Sequence, residues 1–196
     1  MSRDSEWIEP EDAGLRLILF LADDAGAEAL QRHLAVGPFA GVVAKGSPER
    51  IAALLPVCRA VPCALLALHD LDTAADGVHV AAAEVAQARR RLGDGALVGA
   101  EAHASRHEAM VAGEAGADYV TFRAADRDRL VELVEWWSGI SVLPCAAAGA
   151  ITPDMVEPLA RAGAGLLAFG PNVSLAALGE LAEAVKAAEA AMRNGR

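Results

Sequence analysis

The sequence predicts a compact (β/α)8 TIM barrel formed by a single domain. Short apolar segments alternate with longer segments whose apolar residues recur at helical spacing, and this unit occurs eight times. The chain has 196 residues, close to the lower limit of about 200 for this fold. The alternative is an open, doubly wound sheet, but such sheets usually have about five or six strands. We therefore expect residues 15–196 to form the barrel.

The eight predicted strands are short runs rich in branched apolar residues. They occupy residues 15–22, 39–45, 63–68, 77–80, 96–102, 118–122, 140–146 and 165–169. Helix starts are indicated where Ser47 precedes Pro48 and where Thr152 precedes Pro153, because proline is tolerated at the first helical position. Between strands three and four, only the stretch LDTAAD (residues 71–76) is available for a helix, so the third helix is predicted to be one turn or absent.

Composition and charge exclude several classes of protein. Hydrophobic residues make up 54% of the chain, yet no apolar run approaches the roughly 20 residues of a membrane span. The net charge of −10 opposes binding to nucleic acid or to anionic membranes. Residues 1–14 are polar and acidic, which predicts a disordered arm rather than a secretory signal. Cys58, Cys63 and Cys145 lie in apolar surroundings without metal-site spacing, so we expect reduced core cysteines and a cytoplasmic protein.

In this fold, ligands bind at the carboxyl ends of the strands, and phosphates bind on the loops after strands seven and eight. The predicted phosphate ligand is held by the lysine that ends strand two and by residues of these two loops: Lys45, Gly149, Ala150, Gly170, Asn172 and Val173. Two alternatives stay open: the glycines only make tight turns, and the lysine only reaches solvent.

Glu101 and His103 are the candidate catalytic residues. They are two apart on strand five and project to the same side, so an acid and an imidazole could move protons together. A solvated ion pair is the alternative. His79 is predicted to be a packed core histidine. Asp70 with Glu84 is a nonspecific candidate for magnesium, as is Asp23 with Asp24.

Three segments resemble the thiamine phosphate synthase/TenI family. They are ADGVHV (residues 75–80), LVGAEAHASRHEAMVAGEAGADYVTF (97–122) and GAITPDMVEPLARAGAGLLAFG (149–170). Lys45 of GVVAK stands where the basic motif of the family's second strand ends. The resemblance implies a barrel acting in thiamine metabolism. The synthase joins an aminopyrimidine methyl diphosphate to a thiazole phosphate with magnesium, and the related tautomerase moves a proton on the thiazole.

The chain departs from the synthase pattern at several positions. Val43 replaces the arginine of the second-strand motif, and Leu66 and Ala67 stand where an Asn-Asp pair is expected. The stretch HVAAAE lacks the family's glutamine, and Glu101 replaces the serine of its SxH motif. RAADRD replaces a threonine- and proline-rich loop after strand six. His103 retains the SxH histidine, which in the tautomerase branch transfers the proton.

These observations leave three hypotheses. The first is a diverged member of this family that binds a phosphorylated thiazole- or pyrimidine-like molecule, with proton transfer through His103. The second is a non-catalytic barrel that binds a ligand or a partner protein, and the third is an active synthase that requires magnesium. Homo-oligomerisation stays open in all three.

Overall fold

Eight parallel strands pair in chain order, and the eighth pairs with the first, so the sheet is a closed barrel. The structure is a computed structural model that describes residues 14–72 and 74–194. The predicted arm therefore lies outside the described residues except for Gly14. The strands are β1 (Arg16–Phe20), β2 (Phe39–Ala44), β3 (Ala64–Leu68), β4 (Gly77–Ala81), β5 (Leu97–His103), β6 (Tyr119–Arg123), β7 (Cys145–Ala148) and β8 (Leu166–Phe169).

Helices follow every strand except β3 within the described residues. They are α1 (Ala27–Leu34), α2 (Pro48–Arg59), α3 (Val85–Leu92, preceded by a 3₁₀ turn at Ala82–Glu84), α4 (Arg106–Glu114), α5 (Arg127–Ile140), α6 (Pro153–Arg161) and α7 (Leu175–Asn194). The prediction of a very short or absent third helix is therefore confirmed. None of these helices has the length and apolar character needed to cross a bilayer.

The core has two layers because side chains alternate across each strand. The outer layer lies between the sheet and the helices. In α5 the buried residues are Leu130, Leu133, Val134 and Trp137, which share one helical face. The smaller inner layer fills the barrel and includes Ile18, Val43, Leu66, Tyr119 and Leu166.

The predicted position of strand seven was wrong. Residues 140–146 were expected to form it, but α5 continues to Ile140 and β7 begins at Cys145. The β-branched Val142 is fully exposed, and Pro144 has no N–H with which to extend a ladder of hydrogen bonds. The alanines of β7 have little intrinsic strand propensity. They form a strand because their backbone pairs with β6 on one side and with β8 on the other.

Candidate functional site

The carboxyl ends of the eight strands form one mouth of the barrel. Because all eight strands are parallel, the predicted residues at or just after the ends of β2, β5, β7 and β8 lie at this mouth. They are Lys45, His103, Gly149 and Gly170. The structure thus brings the predicted proton-transfer pair and the predicted phosphate-binding residues to the same end of the molecule.

Glu101 and His103 lie together at the end of β5. Oε1 of Glu101 is 3.6 Å from Nδ1 of His103. The register of β5 against β6 shifts between these residues, so the strand bulges at the mouth. His103 also has a φ of 48°, a left-handed conformation that costs energy for a residue with a side chain. The strain lies in the backbone of His103, whose side chain is 66% exposed and lies beside a carboxylate; strained backbone of this kind occurs at many functional sites.

The floor beneath Glu101 is a buried histidine–tyrosine pair. His79 is 1% exposed, as predicted for a core histidine, and its Nδ1 lies 3.0 Å from the hydroxyl of Tyr119. Burial raises the pKa of Tyr119, so the phenol stays protonated and can donate to Nδ1. His79 then carries its proton on Nε2. The Tyr119 ring lies across Gly99, where a Cβ would overlap the phenol.

Two groups from the neighbouring strands β4 and β6 approach the carboxylate of Glu101. Nε2 of His79 is 3.9 Å from Oε2, and the guanidinium of Arg123 is 3.5 Å from the same oxygen. Burial alone would raise the pKa of Glu101, but the His79 N–H and the positive charge of Arg123 outweigh burial and hold this pKa below its ordinary value. Burial lowers the pKa of His79, which is therefore neutral near pH 7. Glu101 is thus an ionised, largely buried carboxylate.

Arg123 spans the mouth from the end of β6. Its guanidinium carbon lies 5.9 Å from the centroid of the Phe20 ring, and that ring packs edge-on against His79 at 5.2 Å. The sequence placed Arg123 at a strand end without a role, and it did not single out Phe20 or Tyr119. The sequence did contain a pattern that points to these residues. Tyr119, Thr121 and Arg123 occupy alternate positions along β6, so their side chains face the barrel interior.

The two loops predicted to hold phosphate differ in their backbone conformation and hydrogen bonding. Gly149 has a φ of 133°, a conformation that favours glycine, and Ala150 beside it is exposed. In the second loop, the N–H of Val173 donates to the carbonyl of Gly170 at 3.3 Å, and Asn172 is exposed within this turn. The amide of Val173 is therefore engaged in the structure, and its role as a phosphate ligand stays a prediction.

Lys45 follows the last residue of β2, and its backbone is held by an arginine clamp. The guanidinium of Arg50 donates to the carbonyls of Lys45, Ala22 and Ala25. This clamp ties the loop after β1 to the loop after β2. The side chain of Lys45 is exposed at the mouth, where a mobile ammonium can meet an anion.

The carboxylates of Asp70 and Glu84, considered for magnesium, already have partners within the protein. The carboxylate of Glu84 accepts hydrogen bonds from the His69 ring and from the Ala81 N–H, both at 3.0 Å. Asp70 accepts from the N–H of Asp72 at 2.9 Å. Residues 14–72 and 74–194 contain no cluster of three His, Cys, Asp or Glu residues able to hold a metal ion.

A cavity of about 500 Å³ opens at the opposite end of the barrel. Its lining includes the first residues of several strands, such as Arg16, Ala64 and Leu97, together with Gly14. Tyr119 also lines it, so this side chain borders the cavity and contacts His79 of the floor. The charged residues of its lining, Arg16 and Asp118, are engaged with protein partners, and in this fold the amino-terminal face serves stability.

Comparisons with known proteins agree with this architecture. Residues 48–172 match the family model described as thiamine monophosphate synthase. The thiamine-phosphate synthase of Rhodospirillum centenum is 36% identical over 182 residues, covering 78% of this chain and 86% of that protein. The thiamine-phosphate synthase of Erythrobacter litoralis is 48% identical over 111 residues, and the matched segment spans only about half of each chain (50% and 52%).

The fold also matches a solved structure. The thiamine phosphate pyrophosphorylase of Pyrococcus furiosus superposes with a TM-score of 0.72 and 19% identity, covering 90% of this chain and 96% of that one. At this identity the likeness concerns the fold alone. The family model and the Rhodospirillum relative carry the assignment: the chain belongs to the thiamine monophosphate synthase family.

Proposed function

We propose that the mouth binds a phosphorylated thiazole- or pyrimidine-like molecule and that His103 transfers a proton on it, as a tautomerase does. The observation that carries this proposal is the Glu101–His103 contact of 3.6 Å at the mouth of a barrel from this family. The phosphate group would be held by Lys45 and by the loops that contain Gly149 and Gly170.

The proposed step moves one proton within the bound ring. A neutral nitrogen of His103 accepts a proton from an acidic ring position, and the electron pair left behind shifts through the conjugated system. The imidazolium then returns the proton to a second ring atom, so the product is an isomer and the enzyme is regenerated. Glu101 stabilises the transient imidazolium because its carboxylate is already ionised.

The substitutions at Val43, Leu66, Ala67 and Glu101 argue against an efficient synthase, since a departing diphosphate needs several compensating ligands. The Glu84 carboxylate is engaged by His69 and Ala81, which supports the same conclusion. The alternative of a non-catalytic barrel uses the same mouth for a ligand or partner without proton transfer.

The test is a thiazole phosphate isomerisation assay with wild type and His103→Ala. We expect wild-type turnover, a loss of about 10²- to 10⁴-fold in His103→Ala, and unchanged binding of the phosphorylated ligand. Incubation with both synthase substrates and magnesium should give no thiamine phosphate above a blank. Binding without turnover in wild type would favour the non-catalytic barrel, and rapid thiamine phosphate formation would refute the degenerate synthase site.

A further inference from the structure

We propose that Arg123 is an anion-binding residue of the mouth, which takes the phosphate of the ligand and is held by Glu101 as its counterion until the ligand arrives. This inference rests on the proposed function, because it names a residue that would contact the phosphorylated ligand. The family resemblance did not assign it, since the loop that follows β6 departs from the family pattern.

The first support is the unused hydrogen-bonding capacity of Arg123. A guanidinium has five N–H donors in a planar fork suited to phosphate. Within the described residues, this guanidinium makes an ion pair of 3.5 Å with Glu101 but no hydrogen bond. Its side chain is 40% exposed, so the donors can turn toward a molecule that enters the mouth.

The second support is the incomplete pairing of Glu101. Its side chain is only 13% exposed, and its Oε1 has no hydrogen-bond partner among the described residues. A largely buried carboxylate in a purely structural ion pair is normally satisfied by short hydrogen bonds. Arg123 contacts the other oxygen, Oε2, at 3.5 Å without a hydrogen bond, so an anion of higher charge can replace this contact.

The third support is the position of Arg123 beside the predicted phosphate loop. Arg123 pairs in register with Ala148, the residue before Gly149. A Cβ on Gly149 would lie 3.7 Å from the carbonyl oxygen of Ala124, so the loops after β6 and β7 are neighbours. An anion near Gly149 would therefore lie at the strand end beside the one that carries Arg123.

Acidic residues in the two loops are already engaged with other partners. The Asp126 carboxylate caps α5 by accepting from the Arg129 N–H at 2.7 Å. Asp154 binds Arg127 at 2.6 Å and the Thr152 hydroxyl at 2.5 Å. Glu101 is thus the carboxylate that competes directly with an anion for Arg123.

The experiment measures the affinity of inorganic phosphate for the full chain by titration calorimetry at low ionic strength. Arg123→Gln should weaken phosphate binding about 10- to 100-fold, the range for losing hydrogen bonds to a charged group. Glu101→Gln should tighten binding, because it removes the competing negative charge. The double variant should bind as weakly as Arg123→Gln, since Glu101 acts through Arg123.

Arg161→Gln is the matched control, because it removes an arginine–glutamate ion pair at the far end of α6 and should leave phosphate affinity unchanged. Arg123→Lys keeps the positive charge but loses the planar fork of donors, so this variant should bind phosphate with intermediate affinity. If Arg123→Gln does not fold, the phosphate affinity of Arg123→Lys tests the inference instead. Unchanged affinity in a folded Arg123 variant would overturn the inference while leaving phosphate binding itself intact. Failure of the wild-type protein to bind phosphate would overturn the proposed function as well.

Discussion

Gly99→Ala tests whether the ring of Tyr119 packs against Gly99 beneath the mouth of the barrel. The added methyl would lie 2.5 Å from Cε1 of Tyr119 and still closer to Cζ and the hydroxyl, so the ring must move. Overpacking of this kind costs about 1–3 kcal/mol. Losing the hydroxyl donor to the buried His79 costs about another 1–3 kcal/mol. We therefore expect the free energy of unfolding to fall by about 2–6 kcal/mol.

Gly41→Ala is the matched control for this substitution. Gly41 also faces the barrel, but its nearest neighbours would be a backbone oxygen at 3.7 Å and a methyl of Leu66 at 3.8 Å, which are ordinary contact distances. Urea denaturation followed by circular dichroism measures both variants, and Gly41→Ala should stay within about 1 kcal/mol of wild type. Because Tyr119 is the chain's one tyrosine, its single NMR ring signature should shift only in Gly99→Ala. Equal stability of the two variants would refute the packing of Tyr119 on Gly99.

Two further predictions concern the groups that support the site. Burial lowers the pKa of His79 in the folded state, so below about pH 6.5 the unfolded chain binds one more proton and stability falls on acidification, by up to about 1.4 kcal/mol per pH unit. His79→Gln should reduce this slope in urea titrations between pH 5 and 7, and an unchanged slope would contradict a buried neutral imidazole. Arg50→Ala should free the carbonyls of Ala22, Ala25 and Lys45 and speed amide hydrogen exchange in these two loops, whereas unaltered protection would show that the clamp does not order them.

In β7, the pairing of strands in the closed barrel overrides the local propensity of the residues. The run 140–144 has branched residues typical of a strand, whereas Ala146, Ala147 and Ala148 are typical of a helix. The predicted strand over residues 140–146 is correct only at Cys145 and Ala146, because hydrogen bonds to β6 and β8 determine which backbone joins the sheet. Local propensity is weak compared with closure of the barrel, which leaves no free strand edge.

Hydrophobic periodicity predicts the order of strands and helices and the very short connection between β3 and β4. These features can be read from the sequence because periodicity is a local property of the chain. The tertiary structure alone brings His103 within 3.6 Å of Glu101, across a bulge in β5. It also surrounds this pair with side chains from other strands: His79, Tyr119, Arg123 and Phe20. It also decided that Glu101 is ionised despite its burial, since its pKa depends on charges and dipoles that closure of the barrel brings within about 4 Å of it.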